Sequence, residues 1–295
     1  MSANSAGIVL IANPSAGRGR GGRLFPLIRD KLQARGGREA ALTRVAGAER
    51  ALARAAAAGG AHTIIALGGD GTWSNVARGI LDAGTDTRLA LLACGTGNDL
   101  ARNVHTPAHD IDATLDLAFA GTARRIDVGY ADNVPFLNCC GVGFDVAVIQ
   151  ALARGGRTLG RSAYLVTAAR TFWNYRAIAA TVGPGALRPY LVLAVGNGAF
   201  FGGGMRLAPG ATNDDGVLDL IAVQDSAPLM RLRTLLAAAR GQHLGRRGVD
   251  HQQRSTFELG FETPPIFQVD GELVQADRPR LTARCEKQRL RICAV

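Results

Sequence analysis

The chain has 295 residues, of which 47% are hydrophobic and 20% charged, a balance that excludes disorder and leaves room for one large domain or two ordinary ones. Its net charge of +10 suits nucleic acid, anionic lipid or a phosphorylated ligand, but no stretch interleaves basic with aromatic residues as single-strand binders do, so nucleic acid is not expected as a partner. The start MSANSAGIVLIANPSAG lacks a signal peptide's basic opening, and no apolar run reaches the roughly 20 residues of a membrane span.

In chain order, GIVLIAN (7–13) is a short apolar run and predicts a buried strand. RLFPLIRDKLQAR (23–35) has apolar residues at helical spacing. REAALTR is a weak strand, AERALARAAAA (48–58) a helix and HTIIAL a strand. TWSNVARGILDA is a helix, and RLALLAC (88–94) another strand. Strands alternating with helices imply a doubly wound α/β domain with a parallel sheet. After about Asp127 the texture changes. YLVLAVGNG, GVLDLIAVQ, STFELGF, PIFQVDGELV and RPRLTARCEKQRLRICAV are strand-like and separated by turns. Two helical stretches interrupt them, at 161–176 and 228–241. This predicts a second, mainly antiparallel domain, with domains at 1–128 and 129–295.

Three strands of the first domain run into glycine turns that open helices: NPSAGRGRGG (13–22), GGDGT (68–72) and CGTGND (94–99). In open parallel sheets ligands bind outside the carboxyl ends of the strands, so the three turns are expected to surround one crevice. Glycines let backbone N–H groups approach phosphate oxygens, and helix N-termini favour anions. Glycine for turn geometry alone is the competing reading of each loop. GGDGT is the most specific, because a carboxylate between glycines at a strand end calls for a metal or hydroxyl partner. No loop is a Walker A or Rossmann motif, and no Lys follows a glycine turn.

At these residues the sequence resembles the diacylglycerol kinase catalytic family, in particular its bacterial soluble lipid kinases, kin of sphingosine and ceramide kinases and distantly of NAD kinases. NPSAG, GGDGT and GTGNDLAR stand in the family's order. GNGAFFGGGMRLAPGATNDDGVLDL (196–220) and VDGE (269–272) extend the likeness over essentially the whole chain. The resemblance implies an ATP- and Mg²⁺-dependent lipid kinase whose acceptor is a diacylglycerol-like or other long-chain alcohol. The first domain would hold ATP, and a β-sandwich-like second domain the acceptor lipid. A last strand at about 286–295 would return to the first domain. Cytoplasmic location, peripheral contact with an anionic membrane surface and an open choice between monomer and homodimer complete the expectation. An NAD kinase-like phosphotransferase and a catalytically weak nucleotide-binding regulator are the alternatives.

Carried over residue by residue, the resemblance assigns nucleotide contacts to Asn13, Pro14, Ser15, Ala16 and Gly17, to Thr43, to Gly68, Gly69, Asp70, Gly71, Thr72, Trp73, Ser74 and Asn75, and to Gly95, Thr96 and Asn98. Asp70 is the candidate for binding catalytic Mg²⁺ or orienting the acceptor hydroxyl. Glu272 matches the proton acceptor, and a carboxylate within reach of a lipid hydroxyl suits that task. Asp270-Gly271 between apolar runs is equally a hairpin signal. Thr212, Asp215 and Val217 match a structural Mg²⁺ site, with an Asp-Gly hairpin as the plain alternative. The family commonly carries Asn-Glu where this chain has Ser74-Asn75, so a neutral amide replaces an acid. The 5 cysteines form no CxxC, which fits a reducing compartment and argues against zinc. His62, His105, His109, His243 and His251 show no ligand spacing and read as surface or packing residues.

Overall fold

The structure is a computed structural model and describes residues 7–37, 39–45, 47–95, 97–154, 171–172 and 175–294. The chain forms two compact units. One comprises the residues up to Ile126 together with Gln288–Val295, the other Asp127–Lys287.

In the first unit, β1 (Ile8–Ala12), β3 (Thr63–Gly68) and β4 (Arg88–Ala93) are buried along their whole length. Such runs are apolar throughout because a parallel sheet covered on both faces offers no wet side. β2 (Glu39–Leu42) pairs parallel with β1, β1 with β3, and β3 with β4. The far edge of this sheet comes from the chain's end. β15 (Arg280–Ile292) places Arg291 and Ile292 parallel to Arg88 and Leu89. Helix α2 (Ala48–Ala58) lies against α3 (Asp70–Ala83), and the approach is close because Gly79 has no side chain: a Cβ there would meet Arg50 and Ala53. Short helix α4 (Asp99–Asn103) and α5 (Ile111–Ala120) follow β4. The predicted helix at 23–35 belongs to α1 (Ala16–Ala34), whose residues Gly17, Arg18 and Gly19 are left-handed. The regular helix therefore starts after Gly19, and the residues before it form a loop, as the glycine run implied.

The second unit is antiparallel. β7 (Cys139–Gly143) pairs with β9 (Arg188–Gly196), which also pairs with β8 (Ile178–Val182) and β10 (Leu218–Gln224). β10 continues to β11 (Val249–Arg254), and β12 (Thr256–Phe261) joins β8 to β15. β13 (Ile266–Val269) and β14 (Glu272–Gln275) form a hairpin on β7. Phe136, Leu193, Val195, Leu220, Phe257, Phe267 and Leu281 are among the buried side chains that fill its core. The strands β5 (Arg124–Ala131) and β6 (Val134–Phe136) and the helix α6 (Phe144–Arg154) were not anticipated from sequence. Of the helix predicted at 161–176, most lies outside the described residues. Among the described residues, no helix is long and apolar enough to cross a membrane.

Candidate active site

The carboxyl ends of β1, β3 and β4 carry the three glycine turns, and the turns touch one another. Gly17 has φ +59, and a Cβ on it would run into the carbonyl of Cys94. A Cβ on Gly95 would stand 2.9 Å from the Gly69 Cα, and one on Gly69 would stand 3.2 Å from the Gly95 Cα. Glycine is needed here because backbone meets backbone. The Gly68 carbonyl accepts the Cys94 N–H at 2.8 Å and the Gly95 N–H at 3.2 Å.

Side chains tie the same turns. Asn13 Nδ2 donates to Glu49 Oε1 at 2.9 Å and to Thr72 Oγ1 at 3.3 Å, while Asn13 Oδ1 accepts the Ser15 N–H at 2.9 Å. Asp70 Oδ1 accepts the Leu100 N–H at 3.0 Å, so this carboxylate joins the second turn to the start of α4. Asn98, left-handed at φ 58 and buried, donates from Nδ2 to the Gly95 carbonyl at 3.1 Å. The same amide nitrogen lies 3.4 Å from His109 Nε2. Thr43 is buried beside β1, its N–H donating to the Ala12 carbonyl at 2.9 Å. Pro14, Ser15 and Ala16 lie on the exposed to half-buried part of the first turn, and Gly71 stands exposed at the first turn of α3 with open space where a Cβ would be. The first-turn N–H groups of a helix have no partners within it, which makes this end of α3 suited to an anion.

Trp73 and Ser74 turn inward. The Trp73 indole is fully buried and donates to the Ala66 carbonyl at 3.0 Å. Its side chain therefore packs α3 onto the sheet. Asn75 is half-buried one position further on. Thr96 lies outside the described residues.

Glu49 escaped the sequence reading. It is 1% exposed in the first turn of α2, with one oxygen on Asn13 and the other, Oε2, buried with no protein partner. In an alanine-rich helix a first-turn acid reads as a response to the helix dipole. Only the fold brings it to Asn13, which in turn bonds Thr72.

In the second unit, Glu272 is the first residue of β14, exposed, directly after the two-residue turn Asp270-Gly271. Both turn residues have positive φ, 49 and 90, the geometry that suits the right-handed twist of a hairpin. The hairpin reading is therefore structurally right, and Glu272 sits on it. Asp270 does more than turn the chain. Its carboxylate accepts the N–H groups of Leu137 at 2.9 Å, Asn138 at 2.9 Å and Cys139 at 3.1 Å. Gln268, fully buried, accepts the Gly271 N–H at 2.9 Å and donates to Asp145 Oδ2 at 3.1 Å. The amide orientation of Gln268 follows, because only its nitrogen can donate to a carboxylate. Burial pushes the Asp145 carboxyl up to about 6, against the opposing hydrogen bonds from the Val146 N–H and Gln268. Neither Gln268 nor Asp145 carries a motif that sequence alone could have singled out.

The Thr212–Val217 loop is also organised by a carboxylate. Asp215, exposed, accepts from the Thr212 hydroxyl and the Val217 N–H, both at 3.0 Å. The Gly216 N–H donates to Asp127 Oδ2 at 2.5 Å. One exposed carboxylate and neighbouring backbone oxygens are a donor set that fits a hard cation. The Lys287 side chain lies against Gly216. Among the described residues there is no cluster of three or more His, Cys, Asp or Glu side chains able to hold a metal. The histidines act locally. His243 is buried, and His251 Nε2 lies 2.6 Å from Asp219 Oδ1. Asn197, inside the GNG segment, donates to the carbonyls of Asp127 at 2.9 Å and Leu137 at 3.1 Å.

Comparison with known proteins bears on both units. Residues 7–131 match the diacylglycerol kinase catalytic domain, and residues 138–294 match the YegS C-terminal NAD kinase beta sandwich-like domain. A protein of Pseudomonas fluorescens named "Probable lipid kinase YegS-like" is 35% identical over 252 residues, 82% of this chain and 81% of that protein. One of the same name from Chromohalobacter salexigens is 32% identical over 232 residues, 75% and 73% of the two chains. Two solved chains from Bacillus anthracis str. Sterne share the fold. One has a TM-score of 0.81 at 22% identity, covering 100% of this chain and 99% of its own. The other, described as a diacylglycerol kinase, has a TM-score of 0.74 at 19% identity, covering 100% and 98%. With its glycine turns and its antiparallel second unit both matched, the chain belongs to the YegS-like lipid kinases, built on the diacylglycerol kinase catalytic domain, and is a lipid kinase enzyme.

Proposed function

We propose that the protein transfers the γ-phosphoryl group of ATP to the hydroxyl of a diacylglycerol-like or other long-chain lipid alcohol. The observation that carries this reading is the convergence of three glycine turns at one sheet edge, where backbone contact between Gly69 and Gly95 packs two helix starts around Asp70. Such an edge suits the phosphates of a nucleotide. The first unit would be the ATP-binding domain, with Asn13–Gly17, Thr43, Gly68–Asn75, Gly95, Thr96 and Asn98 as its nucleotide residues. The second would carry the acceptor.

In the proposed reaction the acceptor hydroxyl oxygen forms a bond to the γ-phosphorus, and the bond from that phosphorus to the bridging oxygen breaks, leaving ADP. The hydroxyl proton passes to the Glu272 carboxylate, held on a tight turn whose N–H groups and side chains are already satisfied. Asp70 orients the hydroxyl or the metal bound with the nucleotide. Mg²⁺, when bound with ATP, supplies neutralisation of phosphate charge, and Thr212, Asp215 and Val217 would hold a second, structural ion. The test is direct. Purified protein, labelled ATP and Mg²⁺ are offered diacylglycerol, ceramide, sphingosine and phosphatidylglycerol in mixed micelles, with NAD in a parallel reaction. Labelled lipid is the expected product. Labelled NADP with unlabelled lipids would replace the reading with an NAD kinase, and no transfer at all would favour a regulator.

A further inference from the structure

The helix Pro228–Ala239 has no task in this chemistry, and its faces are reversed from the ordinary pattern. Pro228 opens it, a position where its missing N–H costs nothing. Thr234, Ala237 and Ala238 are buried, and Leu235 packs on the cluster that contains Phe144, Phe172 and Val223. Arg231 is fixed inward, pairing with Asp225 at 2.5 Å and donating to the carbonyls of Ser226 at 2.9 Å and Tyr175 at 3.1 Å. The outward side carries the large apolar residues. Leu229 is 62% exposed, Met230 47%, Leu232 44% and Leu236 52%. Positions 229, 232 and 236 fall on one stripe of a helix. A lone exposed leucine is ordinary, but a contiguous row with small residues beneath it marks a contact surface.

The charge on the same segment narrows the partner. From Pro228 to Val249 there are Arg231, Arg233, Arg240, Arg246 and Arg247, and no Asp or Glu. Arg233, Arg240, Arg246 and Arg247 are exposed. A second copy of this face would bring like charges together, which opposes a symmetric dimer through it. A surface with apolar depth and negative phosphates complements both features, since guanidinium groups pair with phosphate while their stems follow apolar neighbours inward.

We propose that this helix docks the enzyme on an anionic bilayer, with Leu229, Leu232 and Leu236 entering the acyl boundary and Arg233, Arg240, Arg246 and Arg247 meeting lipid phosphates. The inference rests on the lipid kinase reading only in that a long-chain alcohol is presented at a bilayer. It does not depend on which lipid is phosphorylated or on Glu272.

Vesicle co-sedimentation tests it. The full-length protein and two variants, Leu229→Ser/Leu232→Ser/Leu236→Ser and Arg233→Glu/Arg240→Glu, are mixed with phosphatidylcholine vesicles with and without phosphatidylglycerol, at low and high salt. The parent should prefer the anionic vesicles and release with salt. The serine variant should lose about 100-fold in binding, because three half-exposed leucines no longer enter the bilayer. The glutamate variant should lose about 100-fold on anionic vesicles alone. Both should keep the parent's melting temperature and its activity on a short-chain alcohol in solution, since the substituted residues face solvent. Parent-like binding by both variants would overturn the proposal. So would light scattering that showed a parent dimer, a monomeric serine variant and unchanged vesicle binding, because the face would then be a subunit contact. Binding is read without ATP or turnover, so it stands or falls apart from the acceptor assay.

Discussion

The glycine turns of the first unit and the Asp270-Gly271 hairpin of the second hold their polar groups by opposite means. At the turns, backbone packs on backbone, Gly17 against Cys94 and Gly69 against Gly95, and side chains such as Asn13 only stitch the result. At the hairpin, a half-buried Asp270 and a buried Gln268 set the backbone. Asp270 gathers three N–H groups, and Gln268, itself held by Asp145, fixes Gly271. The first arrangement is set chiefly by volume, because backbone meets backbone at Gly17 and Gly69. The second is sensitive to charge and hydrogen-bonding capacity.

Four substitutions break or sharpen this contrast. The largest effect is expected from Glu272→Gln, which keeps the hairpin and removes the proposed base: kcat should fall roughly 10²- to 10⁴-fold with ATP affinity nearly unchanged. An unchanged kcat would reduce Glu272 to a hairpin residue. Gly17→Ala tests volume. A methyl group would strike the Cys94 carbonyl from a left-handed backbone, so nucleotide affinity, measured by calorimetry, should drop about 100-fold while the second unit stays folded. Wild-type affinity would mean that the turns do not need their close contact.

Asp70→Asn separates geometry from charge at the turns. Its amide oxygen can still accept the Leu100 N–H, so the fold should survive. The loss of the carboxylate should cost about 100-fold in kcat if Asp70 acts on metal or hydroxyl. Near wild-type turnover would leave it a loop-joining residue only. The smallest effect concerns stability. Asp145 is neutralised more easily in the folded protein, with its carboxyl near 6 against an ordinary 3.8. The folded state then binds more protons than the unfolded one between those values. Stability therefore falls as pH rises through that window, and the full cost is present above pH 6. Asp145→Asn, which does not ionise, should be more stable than the parent above that point by up to about 3 kcal/mol. The gain should vanish toward pH 4. Denaturant midpoints that differ equally at both pH values would show that ionisation of Asp145 is not the cause.

The sequence by itself determined the parallel strands, the three glycine turns and the antiparallel second half, because these depend on local signals: continuous apolar runs, glycine at strand ends and alternation between turns. It also placed Glu272 after a turn, since Asp-Gly between apolar runs has few other conformations. The tertiary structure alone decided what those residues touch. Glu49 reaches Asn13 across 36 positions, Asp70 reaches Leu100 across 30, and Gln268 reaches Asp145 across 123. Trp73 lies in a stretch matched to nucleotide binding, yet its side chain faces the core, because helix phase decides which side of α3 meets the sheet. The helix Pro228–Ala239 makes the same point from outside. Its composition predicted a helix, but that Leu229, Met230, Leu232 and Leu236 face outward while Thr234, Ala237 and Ala238 are buried is a fact of packing, the reverse of what an apolar stripe ordinarily implies.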